Sequence, residues 1–459
     1  AAARMLDMSL DSVLTAFDRF GFHGGNEQAA RDAWETVRIQ QEAPQPGEPH
    51  PPPLPHTRQP GLVDGNTGAP PALRTGLWAN QQPIRENGTP PCNFICPAGN
   101  DVRGFLAALS EKDIDGALAI LLETSPLPSV CGRVCPGFCM QQCNRAELEG
   151  AVNVRALERF AGDHGSARVT MAEPRPERVA VVGAGPAGLS GAYHLARLGY
   201  RVTVFDAGTE LGGLMRTGIP VYRLPRRALD RDIQRILDLG VETVLDRRID
   251  FQRLKGLTRE FDAVLAATGL QRLTSLDLGI DRVQGQGCVM QGLEFLDQAR
   301  RGAIRVAGED VIVVGGGNTA VDAARSAHRL GAASVRIVYR RTRREMPAIP
   351  EEVDDAIDEG IEIDFLCSPV RISHAGEQRL LTCERMELGL PDASGRRFPV
   401  AVPDSAFGLP CDRVILAIGQ AADLSLLPPD VTLARAEPVL SDGAAPVYPA
   451  GDLLTNEGT

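Results

Sequence analysis

Two segments beginning at residues 178 and 310 each place a short run of β-branched residues directly before a glycine-rich turn and a helical pattern. They read RVAVVGAGPAGLSGAYHLARLGYRVTVFDAG (178–208) and DVIVVGGGNTAVDAARSAHRLGAASVRIVYRR (310–341). An unbroken apolar run of about four residues is the signature of a strand buried on both faces of a parallel sheet. Glycines at its end permit a tight turn and let a pyrophosphate approach the N–H groups of the following helix. A chain that carries this unit twice is confined to an α/β architecture with two parallel sheets, each built around a dinucleotide.

In the first unit Gly183, Gly185 and Gly188 form G-x-G-x-x-G, with Pro186 and Ala187 inside it. Asp206 ends the second strand 23 positions after Gly183, the place where an acid accepts hydrogen bonds from an adenosine ribose. In the second unit Gly315, Gly317 and Ala320 form G-x-G-x-x-A around Asn318 and Thr319. Its second strand ends in Arg340 and Arg341, with Arg343 and Arg344 just beyond. Arginine there suits the 2′-phosphate of NADP, although NAD and a merely solvated basic turn stay open. Strand-like runs return at RVILAIG (413–419) and VYPAGD (447–452). The expected layout is one nucleotide domain interrupted by another, with borders at 178–300, 301–410 and 411–459.

The cysteines are unevenly spread. Six of ten fall between Cys92 and Cys143, as PPCNFICPAGN and SVCGRVCPGFCMQQCN, amid short helical patterns over 85–170. Thiols grouped in short loops before proline, in a chain without an apolar export signal, point to metal rather than disulfides. The spacing suits an iron–sulfur cluster; zinc, which favours tighter C-x2-C knuckles, is the chemical rival. Cys288, Cys367, Cys383 and Cys411 are isolated in sequence and expected to pack in apolar surroundings. No Cys-x-x-Cys relay and no Ser-His-Asp hydrolase grouping presents itself.

Net charge is −11, from 48 basic and 59 acidic residues, and no Lys/Arg-rich block stands out beyond the short arginine turn at 340–344. Nucleic acid is therefore not an expected partner. No run of about 18 apolar residues exists, so no membrane span is expected, and the reading is cytoplasmic. Residues 1–84 read as a helical segment (5–20 and parts of 27–41) followed by a Pro-rich arm. Eight of the seventeen residues at 44–60 are Pro, and the arm either tethers or lies on a partner. A second linker, MAEPRPE, spans 171–177.

Taken in order, the motifs CGRVCP, VGAGPAGLS, GGGNTAVDAA and VYRRTRREMPA resemble those of the small (beta) subunit of glutamate synthase and its relatives. These include the matching half of dihydropyrimidine dehydrogenase and the large subunit of ferredoxin-NADP transhydrogenase. The resemblance covers about 85–459. It implies an α/β two-dinucleotide-binding flavoprotein, with a nicotinamide Rossmann domain inserted in an FAD Rossmann domain, preceded by an α-helical iron–sulfur domain. FAD is implied for the first cradle. Gly212, Gly213 and Leu214 would run beside the flavin, Thr268 and Gly269 would line it, and Gly451 and Asp452 would meet the ribityl–phosphate end. Implied cluster ligands are Cys96, Cys135, Cys139 and Glu158. Cys92 and Cys143 are alternatives, either remnants of a second site or substitutes, and Cys131 is structural.

Relatives commonly hold two 4Fe–4S clusters, but the stretch QQPIRENGTPP lacks the expected Cys pair, so one cluster is expected and two remain possible. The implied activity moves hydride between NAD(P)(H) and FAD, and single electrons between FAD, a 4Fe–4S cluster and a larger catalytic subunit or ferredoxin. Hydride transfer requires no protein acid or base; Asn318 and Glu345 are positioning candidates. A hetero-oligomeric 2-oxoacid or aldehyde oxidoreductase complex, a glutamate synthase and a non-catalytic scaffold are the competing settings. The relatives continue beyond GDLLTNEGT, and the chain has no initiator Met, so a longer protein is expected.

Overall fold

A computed structural model of the chain describes residues 89–455, apart from 277, 279–287, 376–377, 392–395, 429–430, 432, 434–436 and 440–443. The N-terminal helical segment and Pro-rich arm lie outside the described residues.

The first part is helical: α1 (Pro91–Ile95), α2 (Val102–Ser110), α3 (Ile114–Leu122), α4 (Pro128–Val134), α5 (Phe138–Gln141) and α6 (Val154–His164). Local chemistry sets the ends. Asp101, Asp113 and Asn153 accept the N–H of Gly104, Gly116 and Ala156 as N-caps of α2, α3 and α6. Proline opens α1 and α4. Pro136 disfavours helical backbone at Cys135, where α4 stops. Val102, Phe105, Ala117, Leu121, Val154 and Ala161 form the core of this part.

Then follow β1 (Arg178–Val182), α7 (Pro186–Arg197), β2 (Arg201–Phe205), α8 (Leu214–Thr217), α9 (Arg226–Leu237), β3 (Glu242–Val244), α10 (Phe251–Glu260), β4 (Ala263–Ala266) and β5 (Arg272–Leu273). The second unit holds β6 (Val289–Gln291), α11 (Gly292–Arg300), β7 (Asp310–Val314), α12 (Asn318–Arg329), β8 (Ser334–Tyr339), α13 (Pro350–Asp358) and β9 (Glu362–Phe365). An antiparallel insertion comes next: β10 (Cys367–Ala375), β11 (Gln378–Pro391), β12 (Arg397–Ala401) and β13 (Phe407–Pro410). The chain ends with β14 (Arg413–Leu416), β15 (Gln420–Ala421), β16 (Val447–Pro449) and α14 (Asp452–Thr455).

The two parallel sheets repeat one design. Their orders are β16-β4-β1-β2-β3 and β6-β14-β7-β8-β9. In each, the strand before the glycine turn is central, with the strand after the following helix on one side. Both borders of the inserted domain differ from the sequence expectation. RVIL and the strand at 289–291 were assigned to the flavin domain, yet β14 pairs with β7 and β6 in the nicotinamide sheet. The reason is that β7 needs a partner on its free edge, and its sequence does not say which chain segment supplies it. Among the described residues after β14, only β16 returns to the first sheet, pairing with β4 through Val447 and Val264. The crossing between the sheets is the small antiparallel pair β5–β15.

Candidate functional site

The two glycine turns are built alike, and the reason is steric. Gly183 has φ +109° and Gly315 φ +142°, values that favour glycine. A Cβ on Gly183 would lie 2.3 Å from the Ala267 carbonyl, and one on Gly315 would lie 2.2 Å from that of Ala417. Each turn is thus pressed against the strand end beside it. By contrast, a Cβ on Gly185 or Gly317 would meet nothing within 4 Å, so the second glycine of each turn faces open space. Gly188 sits where a Cβ would strike Gly183 O at 1.8 Å, and Ala320 is fully buried. An open backbone face at the mouth of a long helix is what a dinucleotide's pyrophosphate requires, and both turns fit one.

Around the first turn the structure gathers the distant segments. Gly212 N–H donates to Ala184 O at 2.9 Å, and a Cβ on Gly213 would sit 2.8 Å from Gly185 Cα. Leu214 starts α8 and is exposed. Thr268 and Gly269 follow β4, Gly269 with φ +67°. Gly451 comes so close to Ala187, at the start of α7, that its Cβ would be 2.5 Å away, which brings Asp452 to the same turn. Burial pushes the Asp452 carboxyl above its usual pKa. Asp206 accepts from Ala184 N–H and Gly208 N–H, both at 2.6 Å. Each of its oxygens keeps a second lone pair for a ribose hydroxyl.

Around the second turn the side chains divide by task. Asn318 Oδ1 accepts Ile349 N–H at 2.9 Å, tying the turn to the segment before α13. Thr319 is half-buried beside Gly292. Glu345 forms a capping box with Thr342, whose hydroxyl holds its carboxyl below the usual range. Arg340, Arg343 and Arg344 are exposed at the end of β8. Arg341 is buried, and its Nε donates to Arg397 O at 2.8 Å in the inserted sheet.

In the helical part, Cys96, Cys135, Cys139 and Glu158 lie within reach of one another's charge. Burial is the main cause that raises the thiol pKa values of Cys135 and Cys139, the latter to about 11, and the neighbouring sulfurs and Glu158 add to it. Glu158 is 7% exposed; burial, then Asp232, lifts its carboxyl to about 8. Asn100 Nδ2 donates to it at 3.4 Å. Gly137 N–H donates to Cys135 Sγ at 3.4 Å. Among the described residues, no three His, Cys, Asp or Glu side chains converge on a point that a single ion could share. Half-buried thiols beside a buried carboxylate whose charge disfavours their own thiolate forms are a donor set that a cation makes favourable. They fit a cluster ligated at several corners.

Cys92 and Cys139 pack on the same apolar core. Cys143 stands apart: the N–H of Val152, then those of Arg145 and Ala146, hold its thiol below the usual value. Cys131 is driven up by burial and faces Ser125 at 3.9 Å. Cys288, Cys367, Cys383 and Cys411 are all buried, as expected of apolar packing. The last three share one core with Leu381 and Val414. That they converge could not be read from a sequence in which they lie far apart.

The thiol-bearing helix is fused to the first sheet's domain. Leu127 and Val130 belong to the same core as Val181, Leu189 and Ile233. Asp232 of α9, fully buried, accepts Val130 N–H at 3.0 Å at the start of α4. Tyr193 Oη donates to Leu122 O at 2.6 Å. Asp232 and Asn100 were not singled out from sequence; a lone acid in an amphipathic helix carries no signal of what it will cap.

Two dinucleotide cradles and a thiol-rich helical domain joined to the first define a pyridine-nucleotide flavoprotein with an iron–sulfur domain. The chain belongs to the pyridine nucleotide-disulphide oxidoreductase family, whose profile matches residues 177–443, and the profile for dihydropyrimidine dehydrogenase domain II, 4Fe-4S cluster, matches 85–169. Its matched domains are those of NAD(P)H-, FAD- and 4Fe–4S-linked oxidoreductases. It is 42% identical over 360 residues to the NADPH-Fe(3+) oxidoreductase subunit beta of Geobacter sulfurreducens, covering 76% of this chain and 54% of that one. To the NADP(+)-dependent formate dehydrogenase subunit beta of Moorella thermoacetica it is 38% identical, covering 81% and 57%. To the glutamate synthase [NADPH] small chain of Azospirillum brasilense it is 32% identical, covering 74% and 75%. The chain thus spans little more than half the length of the first two relatives. Mycobacterium tuberculosis FprA in complex with NADPH shares the fold, with a TM-score of 0.51 over 62% of this chain and 80% of that one at 17% identity. Among the described residues no helix is long and apolar enough to cross a membrane.

Proposed function

We propose that this chain is the electron-transferring subunit of a hetero-oligomeric, cytoplasmic oxidoreductase, passing electrons between NADP(H) and a larger catalytic subunit or ferredoxin. The supporting observation is the shared core that joins the helix before Cys135 to the flavin-type cradle, through Val130, Asp232 and Leu127. A cluster held by Cys96, Cys135, Cys139 and Glu158, with Cys92 and Cys143 in reserve, would then stand in a fixed relation to the first cradle. FAD supplies the step from two-electron hydride chemistry to one-electron transfer. The chain's own residues bind and orient: the turn at Gly183–Gly188 with Gly451 and Asp452 holds one dinucleotide, and the turn at Gly315–Ala320 the other.

NADP is preferred over NAD on two grounds. Arg340 and Arg344 are exposed at the end of β8, where a 2′-phosphate would lie. All three relatives named above carry NADP or NADPH in their names. Arg341, turned to Arg397, supports that edge from behind. A 2-oxoacid or aldehyde oxidoreductase complex is the favoured setting, and an NADP-linked formate dehydrogenase, the role in the name of one relative, is of the same electron-delivering kind. The glutamate synthase setting is the second reading, resting on its balanced coverage of both chains.

Anaerobic titration of the purified chain tests the reading. NADPH should bleach the bound flavin where equimolar NADH does so far more slowly, and iron analysis should find about four irons per chain. An iron-free, zinc-loaded preparation would sink the relay, and a chain that binds no nucleotide would leave only the scaffold. Co-purification of the native complex decides the partner; glutamate formation from glutamine and 2-oxoglutarate would select the second reading.

A further inference from the structure

The flavin-type and nicotinamide-type domains meet at a seam that is polar. An open cleft of about 330 Å³ lies there, lined by Arg133, Asn153 and Arg155 from the helical domain, Tyr222 and Arg223 from the loop after α8, and Arg325 from α12. Apolar contacts such as Leu293 against Gly218 also join the two domains, and directional charged pairs across the seam fix the angle that such contacts alone leave loose. Arg300 of α11 reaches Glu210 Oε2 at 3.0 Å across the same two domains, and two further pairs converge on a single guanidinium, that of Arg223. Arg223 Nη1 reaches Asp322 Oδ2 at 2.7 Å, and its Nε reaches Glu352 Oε1 at 2.9 Å. The side chains of Arg223, Asp322 and Glu352 are 7%, 5% and 18% exposed.

The two carboxylates stand on the two elements that hold the nicotinamide-type cradle. Asp322 is one turn along α12 from Asn318, and Glu352 follows Ile349, the residue whose N–H Asn318 accepts. On the other side, Arg223 belongs to the segment that begins at Gly212, hydrogen-bonded to the first glycine turn. One side chain therefore links both cradles. A second guanidinium converges on the same helix: Arg155 pairs with Glu351, next to Glu352. Tyr222 is stacked against Arg329, 3.9 Å from ring centroid to guanidinium carbon.

We propose that Arg223 is a positioning residue for hydride transfer, fixing the nicotinamide domain against the flavin domain through Asp322 and Glu352. The step it serves is the passage of one hydride, a proton with two electrons, from C4 of NADPH to N5 of FAD, leaving NADP⁺ and reduced flavin anion. Transfer of this kind is steep in geometry: a misplacement of about 1 Å costs on the order of a hundredfold. Lysine cannot replace the fork, because a single ammonium cannot span both carboxylates in the same way.

The inference rests on the NADPH–FAD reading, and the test separates the two. Stopped-flow reduction of the full-length holoprotein is followed anaerobically with NADPH and with NADPH deuterated at C4. Arg223→Met should slow flavin reduction about tenfold or more while the NADPH Kd stays within about threefold, and the deuterium isotope effect should rise. Arg223→Lys should fall between it and the wild type. Because Arg223→Met leaves Asp322 buried without its partner, the double variant Arg223→Met/Asp322→Asn removes that charge and should be equally slow. Arg336→Met, which breaks a pair on the far strands β8 and β9, should leave the rate unchanged. A wild-type rate in the double variant, a loss confined to Kd, or slowing that tracks lost flavin would overturn the assignment. If NADPH and NADH both fail to reduce the wild type, the fault lies with the underlying reading.

Discussion

At the scale of single residues, the paired glycines separate the two nucleotides experimentally. Gly183→Ala drives a Cβ into the Ala267 carbonyl under the flavin-type cradle. Flavin content of the purified protein should fall by about tenfold or more, since a forced clash and positive φ cost several kcal/mol. Gly315→Ala meets the Ala417 carbonyl instead. It should keep its flavin spectrum and lose NADPH-driven bleaching, while dithionite still reduces it. These glycines were legible because only steric need places glycine at such a spacing after a strand. Neighbouring polar residues were not legible in the same way. Glu345 could be read as a positioning group, yet its carboxylate is engaged in a capping box with Thr342. Arg341 could be read as a phosphate ligand, yet it is buried against Arg397, 56 positions away. A side chain's type says what it can bond; which partner it finds depends on residues the local motif does not contain.

At the scale of elements, α4 is the piece on which the proposed electron route would hang, gripped by α6 on one side and α9 on the other. Gly132, inside CGRVCP, lets α4 approach α6 so closely that a Cβ would lie 2.3 Å from Arg159 N. Gly132→Ala should lower stability of the helical domain by about 1–3 kcal/mol, read as a lower thermal midpoint for loss of the cluster's visible absorbance. Asp232 grips the other end. Burial raises its pKa from 3.8 to about 6, above the unfolded value. Its contribution is therefore fully present below pH about 3.8 and is lost as pH rises through about 6. Thermal unfolding across pH 4–7 should show the wild type losing up to about 3 kcal/mol relative to Asp232→Asn, which keeps an oxygen for Val130 N–H. An equal pH slope in both proteins would contradict the assigned titration. The short helical patterns over 85–170 were legible as helices, although the caps at Asp101, Asp113 and Asn153 were not singled out. The home of RVIL was not legible, because four apolar residues specify a buried strand without specifying which sheet will bury it.

At the scale of the whole molecule, the proposed function strings three sites along one path, and each can be cut alone. Cys135→Ser removes a proposed cluster ligand at the end of α4 and leaves both glycine cradles untouched. NADPH should still bleach the flavin at near the wild-type rate, whereas reduction of a one-electron acceptor such as cytochrome c should fall by about tenfold or more. Equal loss of both activities would mean that the cluster serves folding rather than transfer. The two-sheet, inserted-domain plan was visible in the sequence because each glycine unit announces itself. The Arg223 bridge across the seam was not, since Asp322 and Glu352 lie 99 and 129 positions from Arg223 in the chain and meet it only in the folded protein.

The buried sulfurs of the nicotinamide domain offer one more use. Cys367 and Cys383 are fully buried and Cys411 is 3% exposed, so an alkylating reagent can reach them only while that domain is transiently open. Mass spectrometry of peptides holding these three, timed against those holding Cys92 or Cys143, would clock the breathing of the nicotinamide domain in the intact protein. Bound NADP⁺ should slow that clock, and it should leave the labelling of the helical domain's thiols unchanged.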